Sequence, residues 1–125
     1  MPCRRRPLVA LAILALPATC WAAEPPKPLA VLLVAGGCCH DYATQTKLLE
    51  KGLEERVRAE VTVAYNPDTS TKARFDVYEK DDWADPYDVI VHDECSADVT
   101  DGHYVARILA AHRAGKPRSE EHTSE

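Results

Sequence analysis

Two short runs of residues carry most of the side chains in this sequence that can perform chemistry. They are residues 36–41 (GGCCHD) and residues 92–95 (HDEC), and each follows an apolar stretch. Together they offer an imidazole, carboxylates, thiols and flexible backbone, which are the groups that acid–base catalysis, nucleophilic catalysis and ligand binding use. These two runs therefore supply the candidate functional residues.

His40 is the first candidate catalytic group, because an imidazole with an unperturbed pKa of about 6.5 exchanges protons near neutral pH. Asp93 or Glu94 is its expected partner, since a carboxylate can orient an imidazole and stabilise the charged form. The alternative is that both acids are only solvated. We predict a catalytic set of His40, Asp93 and Glu94.

Four further residues are predicted to bind a ligand. Gly36 and Gly37 allow the backbone to turn tightly and to approach a ligand closely, or they only turn the chain. Asp41 and Cys95 belong to the same two runs, although Asp41 also suits the N-cap of a following helix. The G-x-G-x-x-G and G-K-[ST] motifs are absent, and no cofactor is predicted.

The thiols of Cys38, Cys39 and Cys95 suggest two other kinds of chemistry. A nucleophilic cysteine needs a lowered pKa, which a helix N-terminus and a nearby histidine can supply. A zinc site would use the same thiols, but two adjacent cysteines lack the usual C-x₂₋₄-C spacing. The spacing therefore predicts no metal site. A thiol or metal site at these cysteines remains an alternative to an acid–base enzyme and to a non-catalytic binding module.

Alternating strands and helices should position these residues. Strands are predicted over 29–35 (LAVLLVA), 60–65 (EVTVAY) and 87–92 (YDVIVH). A helix should run from Asp41 to about Ala59 with Leu49, Leu53 and Val57 on one stripe. A second should run from Asp101 to Ala114, and an irregular connection with a few anchoring aromatics should cover 71–85.

This order indicates an α/β fold with a parallel sheet and helices on both faces. In such sheets ligands bind beyond the carboxyl ends of the strands, where the strand order reverses. A strand order of 2-1-3 would place both runs at one crevice. The fold is expected to stop after the third strand and its helix.

The start of the chain is typical of a secretory signal. Three arginines at 4–6 precede the apolar run 8–16, and small residues follow, so we expect cleavage near residue 23 and export to the periplasm or the extracellular space. The alternatives are an N-terminal membrane anchor and lipid attachment at Cys20. Residues 24–28 form a proline-rich leader, and no stable membrane span is expected after cleavage.

Charge limits the partners. The chain has 20 acidic and 15 basic residues and a net charge of −5 at pH 7, with three of the basic residues in the signal-like segment. An acidic chain of this kind is a poor ligand for polyanions, so nucleic acid is not expected as a partner.

The last eight residues, RSEEHTSE, contain no apolar side chain. They equal the translation of AGATCGGAAGAGCACACGTCTGAA, which looks like a widely used sequencing adapter, and we expect residues 118–125 to be a non-native tail without fixed structure or function. The remaining domain, residues 29–117, would then be incomplete.

The segments VLLVAGGCCHDYATQTKLLEKGL and WADPYDVIVHDECSADVTDGHYVARILAAHRAGKP resemble the ThuA-like (trehalose utilisation) family over residues 29–117. The resemblance implies a flavodoxin-like fold akin to class I glutamine amidotransferases, and a small sugar or sugar derivative as partner. It implies no catalytic triad, and Cys95 lacks the glycines that flank an amidotransferase nucleophile. We expect an exported protein of carbohydrate utilisation, either an enzyme-like domain or a non-catalytic sugar-binding or interaction module.

Overall fold

A computed structural model describes residues 24–120 of the chain. It is an α/β fold of the flavodoxin or Rossmann type, in which a four-stranded parallel sheet has the order β2-β1-β3-β4 and a helix on each face. The elements are β1 (Leu29–Gly37), α1 (Tyr42–Arg56), β2 (Ala59–Asn66), a 3₁₀ turn (Asp76–Glu79), β3 (Val89–Cys95), α2 (Gly102–Arg113) and β4 (Arg118–Glu120).

β1 is the central strand and is hydrogen-bonded to β2 on one side and to β3 on the other. Its continuous apolar sequence fits this position, because helices cover both of its faces and every side chain from Val31 to Ala35 is buried. The predicted order of the first three strands is confirmed.

One face of the sheet carries an aliphatic core under α1. Val31, Leu33 and Val91 are buried there, and the α1 residues Leu49 and Leu53 pack against them. The predicted stripe is therefore confirmed for these two leucines. It is wrong for Val57, which follows the end of α1 as its C-cap and is 46% exposed.

The opposite face carries a larger, aromatic core under α2. Leu32, Val34 and Ile90 meet a set of rings from the irregular connection and from α2 (Phe75, Tyr78, Trp83 and Tyr104). The prediction of an irregular connection with anchoring aromatics is confirmed, and the rings are almost completely buried rather than scattered over the surface.

Side-chain and glycine caps set three of the four helix ends as predicted, but α1 ends at Arg56 and not near Ala59, which begins β2. The Asp41 carboxylate accepts a hydrogen bond from the Thr44 amide at 3.2 Å, and Asp101 accepts from the second and third amides of α2. Gly115 has a φ of 100°, and the amides of Gly115 and Lys116 bond back to the last turn of α2.

Two strand boundaries differ from the predictions. β3 begins at Val89 and continues to Cys95, so residues 93–95 form the end of a strand and not a loop. The reason is that β1 also continues through its two glycines, which gives Asp93, Glu94 and Cys95 paired partners at Ala35, Gly36 and Gly37.

The structure also continues one strand further than expected. Arg118–Glu120 form β4 and pair in parallel with residues 90–92 of β3, so the expectation that this segment has no fixed structure is wrong for these three residues. An edge strand needs only backbone pairing, and the exposed Arg118 and Ser119 need not be apolar. Predictions for residues 1–23 and 121–125 lie outside the described residues. Within 24–120 no helix has the length and apolar character that crossing a membrane requires.

Candidate functional site

The two runs of candidate residues lie side by side at the carboxyl edge of the sheet, as predicted, because β1 and β3 are neighbours. Their glycines make this contact possible. Gly36 and Gly37 have φ values of 139° and 95°. A Cβ atom on Gly37 would collide with the carbonyl of Cys95, and one on Gly36 would collide with the carbonyl of Asn66. The glycines therefore serve close strand packing at this edge.

Three thiols meet where β1 ends against β3. The Cys38 amide donates to the Cys95 carbonyl at 3.2 Å, and the Sγ atoms of these residues are 3.4 Å apart. Cys39, held at a φ of 84°, brings a third Sγ, and all three lie within 4.8 Å of one another. Cys38 is buried, Cys95 is half-buried and Cys39 is exposed. We call these residues the thiol cluster.

Cys38, the buried thiol of the cluster, is poorly suited to nucleophilic catalysis. Hydrogen bonds with Cys39 and Cys95, together with burial, raise the pKa of Cys38 to about 12. A nucleophilic cysteine needs the opposite shift, since the thiolate is the reactive form. The arrangement instead gathers three soft ligand atoms, two from the loop after β1 and one from the end of β3. A spacing rule applied to the sequence could not find this set, because Cys95 approaches through strand pairing.

Asp93 and Glu94 point to opposite faces of the sheet, as consecutive strand residues must. Asp93 is completely buried on the α1 side, near the first turn of that helix. Burial raises the pKa of Tyr42 to about 12, and the charges of Cys95 and Asp93 add to this effect. The two carboxylates therefore cannot act as one pair.

Glu94 belongs instead to a polar chain on the α2 side. Its Oε1 accepts from the Tyr78 hydroxyl at 2.6 Å and lies 2.8 Å from His92 Nδ1. His92 Nε2 lies 2.9 Å from His112 Nε2, and His112 Nδ1 lies 3.0 Å from the Lys116 carbonyl.

Two bonds of this polar chain have a fixed direction. The Lys116 carbonyl can only accept, so His112 donates to it through Nδ1. The Tyr78 hydroxyl donates to the Glu94 carboxylate. The chain therefore links a carboxylate, a phenol and two imidazoles from β3, α2 and the irregular connection.

His40 lies in a different place from this chain. It is exposed, its ring meets the Tyr42 ring edge-on at 5.7 Å, and it lines a cavity of about 120 Å³ with Asp41, Tyr65 and Asn66. A second cavity of about 440 Å³ shares Tyr65 and Asn66 with the first and extends to Asp76. We call these two adjoining cavities the β2-end groove.

Five of the seven predicted site residues fall into three groups. Gly37, His40 and Asp41 line the β2-end groove, Cys95 is in the thiol cluster, and Glu94 is in the polar chain. The other two belong to none of these groups, since Gly36 packs against Asn66 and Asp93 is buried on the α1 face. Sequence reasoning missed Tyr78 as the partner of Glu94, His112 as the partner of His92, and Tyr65 and Asn66 as neighbours of His40. Only the i, i+2 spacing of His92 and Glu94, which puts both on one strand face, pointed to the polar chain.

The fold and the residues at the carboxyl edge of the sheet define the class of this protein. It is an α/β protein with a parallel sheet, and its polar residues gather at the carboxyl ends of β1, β2 and β3. Comparison of the chain with protein-family models, curated proteins and solved structures gives no match.

Proposed function

We propose that this chain is an exported, ThuA-like protein of carbohydrate utilisation that binds a small sugar or sugar derivative in the β2-end groove. His40 acts there as an acid or base. The observation that carries the proposal is the position of His40, which lines one cavity with the Tyr65 ring at the carboxyl ends of two adjacent parallel strands. Ligands of open α/β sheets bind at this edge.

The lining of the groove suits a polyhydroxyl ligand. Tyr65 is 44% exposed and offers a ring face for an apolar sugar face, while its hydroxyl can hydrogen-bond. His40, Asp41, Thr69 and Asp76 add polar groups around it. A neutral sugar fits better than a phosphorylated one, because the chain carries a net charge of −5.

Asn66 gives the groove its shape. Its Nδ2 donates to the Arg74 carbonyl at 2.7 Å, and its Oδ1 accepts from the Asp68 amide at 2.9 Å. Both ends of the amide therefore hold the two chain segments that form the walls. We assign Asn66 a positioning role and leave ligand contact to Tyr65 and His40.

A non-catalytic sugar-binding module is the second candidate. It is favoured by the position of Glu94, whose Oε1 bonds to Tyr78 and His92 on the α2 face rather than serving His40. On this alternative, His40 contributes a ligand contact and no proton transfer.

Calorimetric titration of the full chain with trehalose and glucose, combined with an assay for products, tests the proposal. Tyr65→Ala should weaken sugar binding about tenfold, equivalent to about 1.4 kcal/mol. His40→Ala should lower turnover roughly 10²–10⁴-fold while binding persists. His103→Ala, which changes an exposed histidine on α2, is the matched control and should alter neither.

The outcomes separate the two candidates. Binding that is weakened in both groove variants, with no turnover by the unmodified chain, supports the binding module over the enzyme. Sugar binding that is unchanged in Tyr65→Ala and His40→Ala contradicts the groove as the site.

A further inference from the structure

We propose that the thiol cluster is a binding site for one thiophilic d¹⁰ metal ion, Cu(I) or Zn(II). The three sulfurs of Cys38, Cys39 and Cys95 lie within 4.8 Å of one another, close enough for one ion to reach all three. This site is separate from the β2-end groove, and its function does not depend on sugar binding.

The distances are near those of a shared ion. Metal–sulfur bonds of about 2.3 Å place the sulfurs of a trigonal shell about 4.0 Å apart and those of a tetrahedral shell about 3.8 Å apart. The 3.4 Å between the Sγ atoms of Cys38 and Cys95 and the 4.8 Å limit for the three thiols differ from these separations by about 1 Å or less, so binding requires a side-chain adjustment. The exposed Cys39 can supply this adjustment, because it lies in the loop between β1 and α1.

The backbone holds two of the ligands in place. Cys38 and Cys95 are joined by an amide–carbonyl bond of 3.2 Å, at the point where Gly37 and Cys95 are paired in register. A site whose ligands are fixed before the metal arrives loses less entropy on binding. The half-exposed edge also gives an ion access from solvent through Cys39.

Ligand chemistry decides the class of metal. Thiolates are soft ligands that select Cu(I) and Zn(II) over hard cations such as Mg²⁺ and Ca²⁺. Three sulfurs complete a trigonal shell for Cu(I), whereas Zn(II) takes a fourth ligand, which solvent beside Cys39 can provide. Binding converts three thiols into thiolates, and their protons pass to solvent.

The test uses the full chain, kept reduced, and first removes the two cysteines outside the cluster. The Cys3→Ser/Cys20→Ser background retains only Cys38, Cys39 and Cys95 of the five cysteines. Separate titrations with Cu(I) and Zn(II), each against a chromophoric competitor, measure affinity and stoichiometry. The background should bind one equivalent of one of the two ions as tightly as the unmodified chain does, and the tighter ion identifies the metal.

Two variants locate the ligands. Cys95→Ser should weaken binding, and so should Cys39→Ala, which changes an exposed side chain and leaves the core intact. Loss of an outer-shell partner alone costs roughly 10–100-fold in metal affinity, so loss of a ligand should cost at least that. Absorption spectroscopy at the metal edge should show three sulfur neighbours.

Two results would overturn the proposal. One is a reduced background protein that binds neither ion. The other is a Cys39→Ala variant that binds as tightly as the background.

Discussion

The two faces of the sheet place neighbouring residues of β3 in different environments. On the α1 face, Asp93 is completely buried beyond an aliphatic core. On the α2 face, His92 and Glu94 lie among aromatic rings and are joined to Tyr78 and His112 by hydrogen bonds. One strand thus delivers ionisable groups to two separate environments, and adjacency in the sequence says nothing about shared chemistry.

The difference has a physical origin in what covers each face. Leucines of α1 cover the core on one face of the sheet. The other face is covered by α2 and by the irregular connection, which contributes Tyr78 and Trp83. Tyr78 has a ring for the core and a hydroxyl for Glu94, so it joins an apolar core to a polar chain. The leucines of α1 offer no such donor.

The largest expected effect comes from making a cavity on each face. Leu32→Ala and Leu33→Ala remove the same atoms from adjacent buried residues of β1. Each should lower the free energy of unfolding by about 2–5 kcal/mol. Leu32→Ala should cost more, because rigid rings surround Leu32 while the flexible Leu49 and Leu53 can move toward the space left by Leu33.

Chemical denaturation of the two variants measures this difference. The comparison between a rigid aromatic face and an adaptable aliphatic face is wrong if Leu33→Ala proves the more destabilising substitution.

A smaller effect tests the polar chain itself. Tyr78→Phe keeps the ring and removes the hydroxyl that donates to Glu94 at 2.6 Å. Losing a buried donor to a carboxylate should cost about 1–3 kcal/mol of unfolding free energy. Tyr65→Phe is the matched control, since Tyr65 is 44% exposed and its loss of a hydroxyl should change stability by less than about 0.5 kcal/mol. Equal effects of the two variants in thermal or chemical unfolding would mean that the polar chain adds no stability.

Much of the fold follows from the sequence. The uninterrupted apolar run of β1 predicted a strand buried on both faces, and Asp41, Asp101 and Gly115 marked helix ends where the structure has them. The strand order and the meeting of the two candidate runs followed from the same reasoning. These features depend on local patterns, which the sequence displays directly.

The side-chain environment of the candidate site could not be predicted in the same way. The predicted partnership of His40 with Asp93 or Glu94 placed residues 93–95 in a loop after the strand, but strand pairing fixes the direction of each of these side chains. His112 reaches His92 only because α2 packs across β3, and Cys95 joins two distant cysteines only through sheet register. Such contacts depend on tertiary packing, which periodicity does not report.

The smallest expected effect is a loss of folding stability at alkaline pH. It arises from two buried tyrosine hydroxyls, one on each face of the sheet. The ordinary tyrosine pKa is 10.0; burial raises the pKa of Tyr42 to about 12 on the α1 face. Burial, followed by the charge of Glu94, raises the pKa of Tyr78 on the α2 face well above the ordinary value of 10.0. In both cases the folded chain holds the phenol proton more tightly than the unfolded chain does. The associated stability is therefore complete below about pH 10 and is lost as pH rises toward the folded pKa.

Unfolding free energies measured from pH 8 to pH 12 should consequently fall above about pH 10, and phenolate absorbance should appear as the protein unfolds. Tyr42→Phe and Tyr78→Phe each remove one of these protons, so each should make the decline with pH less steep. The thiol of Cys38 acts in the same direction, but its ordinary pKa of 9.0 makes its contribution begin at lower pH. If Tyr42→Phe flattens the profile and Tyr78→Phe does not, only the α1 face holds its phenol in a dry environment, and the reverse result assigns that property to the α2 face alone. A profile unchanged in both variants would show that neither phenol titrates with folding, because a group whose pKa differs between the folded and unfolded chains must contribute to the slope.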